Sequence, residues 1–392
     1  FYLYEFFLRV SPTVITTELM QHFSIDALYL SFITTAFYIG YTPMQIPAGS
    51  MCNHLNLRYV MASAMGLASI ACYCFGITES YYTAILWRII LGVLSAFAFV
   101  GPLMLTRRWL PNRYFALTTG LIQFSGCLGA LIGLHPFTVA NQIYGWQTTL
   151  TYTAIIGLIL ACLFACFIRS HPTGHQLSEN SNTSFDTSIL RSKQLWLIAI
   201  IAFASWAPLA VLGELWGVRV LEVKWEAIGI KAELMMNYFW LAVALASPMI
   251  GWLSDRIQSR TKLLKICFLM SFIGIISLLL LPPNIYLESC SLVLIGASVA
   301  AQTLTFAMVN DRMSPDKVGF AYGFNNVAVI CSGIILPPIS GLIMRYTWDG
   351  TLINEVPYYS LNDFQQGLII LPMISIAGLW VSSLVEETYR CD

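Results

Sequence analysis

The chain has 392 residues, of which 57% are hydrophobic and 14% aromatic, and only 10% are Asp, Glu, Lys or Arg, where a soluble domain carries about a quarter. A single soluble globule is excluded. Lys plus Arg and Asp plus Glu both number 20, so the net charge is zero and there is no basic surface of the kind that tracks nucleic acid.

Taken in chain order, apolar runs broken by turn or charge clusters predict twelve spans, at 1–20, 27–48, 59–78, 82–105, 116–139, 148–168, 194–216, 233–252, 263–282, 286–309, 318–344 and 364–385. Each can cross about 30 Å of hydrocarbon at about 1.5 Å per residue. The stretch around Phe1 is already apolar, without a charged leader or a small-residue cleavage site, so it does not read as a signal peptide. One long polar interruption, 169–193, divides the spans six and six, predicting an N-terminal bundle over 1–168, a cytoplasmic linker over 169–193 and a C-terminal bundle over 194–392. With both termini in the cytoplasm, the loops after even-numbered spans and the tail hold 14 of the 20 basic residues, which satisfies the positive-inside rule. The ten cysteines and five histidines form no zinc or redox spacing, and no phosphate-cradling loop is present. No metal or cofactor is expected.

Two segments six spans apart echo one another, PAGSMCNHLNLRYV after the second span and PMIGWLSDRIQSRTK after the eighth. The second, with Gly251, Asp255, Arg256, Arg260 and Lys262, resembles the G-x-x-x-D-R-x-G-R-[RK] signature of the major facilitator superfamily, departing at Ser259. The first is weaker, with Asn53 in place of the acid and His54 in place of the arginine. Arg88 and Gly92 resemble that family's R-x-x-x-G element of the fourth helix, and Arg107 to Arg113 its connector to the fifth. The resemblance implies an all-α membrane protein of twelve helices in two pseudo-symmetric bundles, working by alternating access. It also implies a conformational latch at Gly251, Asp255, Arg256 and Arg260, in which the Asp255 carboxylate meets a helix N-terminus. The family's glycine-proline antiporter motif is not reproduced by the run Gly126, Gly129, Gly133, which reads as close helix packing.

Charges inside membrane spans are expensive and mark functional sites by default. Glu5 and Arg9 stand four apart on one face of the first span and can pair. Arg9 is the expected anion-binding residue, suited to a planar two-point contact with a carboxylate, and Glu5 the expected proton acceptor. A static ion pair is the alternative. Arg88, buried in the fourth span, reads either as part of proton coupling, with Glu5 as a possible partner, or as a clamp between helices. Glu214 falls near the outer end of the seventh span, as a second protonatable site, part of an outer gate or a hydrated rim charge. Tyr38, Tyr41, Gln123, Gln302, Asn325 and Asn326 are the expected pocket lining, and Trp216 and Trp240 read mainly as interfacial belt residues.

The expected function is proton-coupled uptake of a small organic anion or zwitterion, such as a carboxylate, an amino acid or a carboxylate siderophore. Export of lipophilic compounds is the alternative. An enzyme is not expected, since no HExxH, GxSxG or Asp pair within the spans appears. The expected partners are the substrate, protons and a lipid bilayer, with the chain acting as a monomer in a bacterial inner membrane.

Overall fold

The computed structural model describes residues 1–109, 115–170, 191–225, 232–313, 318–353 and 356–387. Within these, the side chains of Asn53, His54, Arg107 and Asp255 lie outside the described set, as does most of the 169–193 connection. The helices are α1 (Tyr2–Val10, Ser11–Val14 and Thr16–Phe23), α2 (Ala27–His54), α3 (Leu57–Ile77), α4 (Tyr81–Ser95 and Phe97–Trp109), α5 (Phe115–Tyr144) and α6 (Trp146–Phe167). The second half repeats the count with α7 (Lys193–Pro208, Leu209–Trp216 and Gly217–Trp225), α8 (Ala232–Ile257), α9 (Arg260–Leu280), α10 (Ile285–Ser298 and Ala301–Arg312), α11 (Val318–Thr347) and α12 (Leu361–Gly367 and Ile370–Leu384). A short antiparallel hairpin, β1 (Leu352–Ile353) with β2 (Val356–Pro357), joins α11 to α12. Among the described residues, ten helices can cross a bilayer by length and hydropathy, eleven if one bent pair is included. The two crossings outside the ten are α1, which is divided into pieces of 9, 4 and 8 residues, and α2, which qualifies only when joined to the last of those pieces across the bend.

Helix starts follow the local chemistry. Asp26 accepts from the Tyr29 N–H at the start of α2, Asn284 accepts from Tyr286 and Leu287 at α10, and Ser360 with Asp363 forms a capping box at α12. The first helix of each half is interrupted. In α1 a 3-10 turn begins at Ser11 with Pro12 in its first turn, and in α7 Pro208 is followed by a π-helical stretch over Leu209–Trp216. Proline removes an N–H from the ladder, and π segments gather at functional positions. The two breaks touch: the Thr13 hydroxyl donates to the Leu215 carbonyl at 2.9 Å.

Small residues set the closest crossings. A Cβ on Gly92 would strike the Phe37 carbonyl and one on Gly40 the Ile89 carbonyl, so α2 and α4 meet backbone to backbone. The α5 glycines receive α1, Gly126 against Tyr2, Gly129 against the Leu3 backbone and Gly133 against Phe7.

The halves meet along α2 with α11 and α5 with α8. At the end away from the 169–193 connection, Asp26 pairs with Arg345 at 3.1 Å and the Ala27 N–H donates to the Tyr359 hydroxyl at 3.0 Å. On the same side His135 lies 3.3 Å from Glu233. Among the described residues, ties at the connection end run within each half: Arg108 to the Cys52 carbonyl at 2.7 Å and Trp109 to the Arg169 carbonyl at 3.1 Å in the first, and Arg260 with Asp311 at 3.3 Å and with Ser254 at 2.8 Å, and Arg312 with Glu386 at 3.2 Å, in the second.

Candidate functional site

Four charged side chains meet at the two broken helices, all of them buried: Glu5 and Arg9 on α1, Arg88 on α4 and Glu214 on α7. An isolated charge there would cost several kcal/mol, so their mutual geometry matters. Arg9 turns one edge of its guanidinium to Glu5, with Nε and Nη2 donating to the same oxygen, Oε1, at 3.0 and 2.7 Å. Its other edge faces Glu214, with Nη1 3.8 Å from Oε1. That separation is an ion pair and not a hydrogen bond. Glu214 Oε2 accepts from the Tyr38 hydroxyl.

Four rings surround Arg9. Its guanidinium carbon lies 4.7 Å from the Phe6 centroid, 5.1 Å from Tyr41, 5.3 Å from Phe37 and 5.8 Å from Tyr38, a setting that holds a cation by the ring quadrupoles. Phe37 is shared, since Arg88 lies 5.2 Å from its centroid on the same ring. Arg88 donates from Nη1 to the Leu8 carbonyl at 3.2 Å and from Nε to the Ile33 carbonyl at 3.3 Å. The cluster leaves Glu5 Oε2, Glu214 Oε1 and Arg88 Nη2 buried without a hydrogen-bond partner. Three unfilled positions of both signs in one place can receive a polar ligand.

Several expectations change against this geometry. Glu214 is not at a hydrated rim: it is fully buried, because the π segment carries it inward to face the first half. Arg88 takes two backbone carbonyls in place of the Glu5 carboxylate. Tyr38 and Tyr41 join the cluster; Gln123 stands one contact behind it, accepting at 3.3 Å from Tyr2, which packs edge-on against Phe6, whereas Asn325 donates to Thr305 at 3.0 Å. Gln302 is half-buried on α10 and makes no side-chain bond to the cluster. Asn326 reaches across the halves to Gln45 at 3.5 Å. Trp216 and Trp240 are not belt residues. Both are fully buried, Trp216 donating to Ser340 at 3.0 Å and Trp240 packing edge-on against Phe6.

Of the expected latch, Gly251, Arg256 and Arg260 are described, and the Asp255 contact on which it turns is not. Arg260 uses Asp311 and Ser254, Arg256 is exposed and stacks on Trp252, and space beside Gly251 is open. The Asp255 side chain lies outside the described residues. Glu387, which sequence reasoning missed, accepts from Ser259 Oγ at 2.7 Å, from the Arg260 and Thr261 N–H groups at 2.9 and 3.1 Å, and from Thr261 Oγ1 at 2.8 Å. Partial burial works to raise its carboxyl, but these donors outweigh it and hold the group down at about 2. A hint was present in the sequence, where two acids, Glu386 and Glu387, directly follow the last span on an otherwise basic side. The apolar groove lined by Phe1, Met65, Leu160, Leu163, Phe164 and Phe167 contributes none of the charged groups.

The sequence profile of the Major Facilitator Superfamily matches residues 2–232 and 217–359. "Probable anion transporter 5" of Arabidopsis thaliana is 22% identical over 342 residues, covering 80% of this chain and 78% of that protein. The hexuronate transporter of Bacillus subtilis is 22% identical over 381 residues, covering 86% and 84%. Among solved structures, a bacterial homologue of the human lysosomal transporter Spinster, inward-facing and occupied, superposes with a TM-score of 0.81 at 13% identity, covering 98% of this chain and 94% of that one.

Proposed function

The chain belongs to the major facilitator superfamily, and from that membership we propose that it takes up a small organic anion together with a proton, with sugar acids of the hexuronate type as the first substrates to test. It is a multi-pass integral membrane transporter and not an enzyme.

The observation that carries the reading is the charge balance of the buried cluster. Arg9 and Arg88 supply two positive charges, Glu5 and Glu214 two negative ones, and all four are out of water. A substrate carboxylate entering on the Nη1 edge of Arg9 would leave one uncompensated negative charge in a low-dielectric core. One proton on a carboxylate restores neutrality. Glu214 is the better acceptor, because it touches Arg9 only at 3.8 Å and its Tyr38 bond survives protonation in weaker form, the hydroxyl donating to the carbonyl oxygen of the neutral acid. Glu5 keeps Arg9 in place meanwhile. The sequence alone favoured Glu5 for the proton. The names of the plant and Bacillus relatives agree with an anionic substrate. A lipophilic-compound exporter would call for an apolar cavity with a lone acid, and two guanidiniums argue against it.

The positive-inside count favours cytoplasmic termini and connection in a bacterial inner membrane. On that orientation the ties Asp26–Arg345 and Ala27–Tyr359 close the outer side. Purified protein in proteoliposomes should accumulate radiolabelled D-glucuronate when the outside is made acid, and the protonophore-treated control should not. Accumulation driven equally well without a proton gradient would sink proton coupling. Absence of uptake for glucuronate, other carboxylates and sugar phosphates alike would sink the anion reading.

A further inference from the structure

We propose that Arg88 is a positioning residue that acts through the backbone of α1, replacing the hydrogen bond that Pro12 removes and so aiming Arg9 at its ligand. The inference rests on the reading of Arg9 as the anion-binding residue.

In a continuous helix the carbonyl of Leu8 would accept from the N–H of residue 12. Residue 12 is proline, so that donor does not exist. The orphaned carbonyl is buried with its neighbours Leu8 and Arg9, where an unsatisfied backbone group is costly. Two donors fill the gap, Arg88 Nη1 at 3.2 Å from another helix and the Ser11 hydroxyl at 3.1 Å from the same turn. The Leu8 carbonyl belongs to the peptide unit whose nitrogen is that of Arg9. A guanidinium held against that carbonyl therefore fixes the plane from which the Arg9 side chain departs.

Three further contacts keep Arg88 in this role. Its Nε bonds the Ile33 carbonyl of α2, and its guanidinium lies over two rings, Phe37, whose surroundings also include Arg9, and Phe75 of α3. Gly92, one turn later on the same helix face, brings α4 against the Phe37 carbonyl closely enough for that reach. The four-residue spacing of Arg88 and Gly92 thus has a physical reason: the glycine sets the approach, and the arginine uses it to span from α4 to the broken α1.

The remaining nitrogen, Nη2, has no hydrogen-bond partner, which suits the competing idea that Arg88 itself binds the anion. A rescue experiment separates the two. Arg88→Lys, which keeps the charge of the cluster but has one donor able to reach one carbonyl, should raise hydrogen–deuterium exchange in peptides covering residues 5–15 while leaving those of α9 unchanged, and should raise the KM for D-glucuronate counterflow about tenfold. Adding Pro12→Ala returns an N–H to the Leu8 carbonyl. The double variant should regain wild-type exchange and a KM within threefold of wild type. Arg88→Gln, which removes the charge as well, should raise exchange over residues 5–15 at least as far, and serves for that readout if Arg88→Lys does not fold. A double variant that recovers exchange but not KM would show Arg88 to be a direct ligand and overturn the proposal, as would exchange in Arg88→Lys, or in Arg88→Gln in its place, no different from wild type. If the wild type moves no glucuronate yet Pro12→Ala still restores exchange, the positioning role stands and the substrate reading falls.

Discussion

Replacing Glu214 by Gln removes the one acid that the second half contributes to the buried cluster and keeps its size and its ability to accept from Tyr38. With an effective dielectric of about 20, unit charges 3.8 Å apart attract by about 4 kcal/mol and those 2.7 Å apart by about 6 kcal/mol before desolvation is charged against them. Arg9 is thus held to Glu5 about 2 kcal/mol more firmly than to Glu214, and the variant should retain its α1 pair and its fold. It mimics the protonated site permanently. Substrate should bind without a proton, so counterflow exchange of D-glucuronate should stay within a few-fold of wild type. Uphill accumulation, worth up to tenfold per pH unit for one proton per electroneutral cycle, should collapse to equilibration. The assay is uptake into proteoliposomes with and without an acid exterior, beside counterflow on the same preparation. Accumulation retained in Glu214→Gln would refute the assignment and return the proton to Glu5, where Glu5→Gln should then abolish it.

Arg9→Lys replaces a planar fork by a point charge and should raise KM for a carboxylate substrate by tenfold or more, about 1.4 kcal/mol, measured by counterflow; an unchanged KM would remove Arg9 from the site. Gly333→Ala should reduce transport and stability together, because the added Cβ would lie 2.5 Å from the Tyr38 ring and overpacking of that kind costs about 1–3 kcal/mol; a wild-type melting temperature and wild-type uptake would contradict the packing. Glu387→Gln should cost about 1 kcal/mol, the size of a lost helix cap, discounted for its exposure. Because its folded-state value of about 2 lies below the usual 4.5, the contribution is complete above pH 4.5 and lost only as pH falls through about 2. The melting difference from wild type should therefore be flat from pH 5 to 8, and a difference that vanished in that window would be inconsistent with the tail clamp. A cysteine at Ser181 on a cysteine-free background should react with an impermeant maleimide only from the inside; labelling in intact cells would reverse the orientation.

The twelve crossings were legible because a hydrocarbon slab imposes length and apolarity on each one locally. The predicted spans differ from the helices mainly at their ends, where α2, α4 and α7 run on past the apolar stretch into polar turns. Arg9, Glu5 and Arg88 were legible for the same reason, as charges a span does not otherwise tolerate. The placement of Glu214 was not. Its depth depends on the π segment after Pro208, whose wider turn has no composition signature. Gln123, Gln302 and Asn325 looked alike in sequence, and which polar residue faces the centre depends on the rotation of each helix, set by contacts such as Gly129 on Leu3 that only the assembled bundle reveals. Asp311 and Glu387 joined Arg260 through tertiary proximity alone, across 51 and 127 positions of chain.

The charged cluster also bears on how the protein is made. Its first half holds Glu5, Arg9 and Arg88, an excess of one positive charge, and its second half holds Glu214, the balancing negative one. During synthesis the first six helices are complete before α7 exists, so they wait in the bilayer with a cation that has no counter-ion. When α7 arrives, its acid is equally unaccompanied. Each half is therefore poorly suited to lipid on its own, and their docking cancels both defects in one step. Docking of the halves and assembly of the charged cluster are the same event, and a half expressed alone should be a substrate for membrane proteolysis until its complement is supplied.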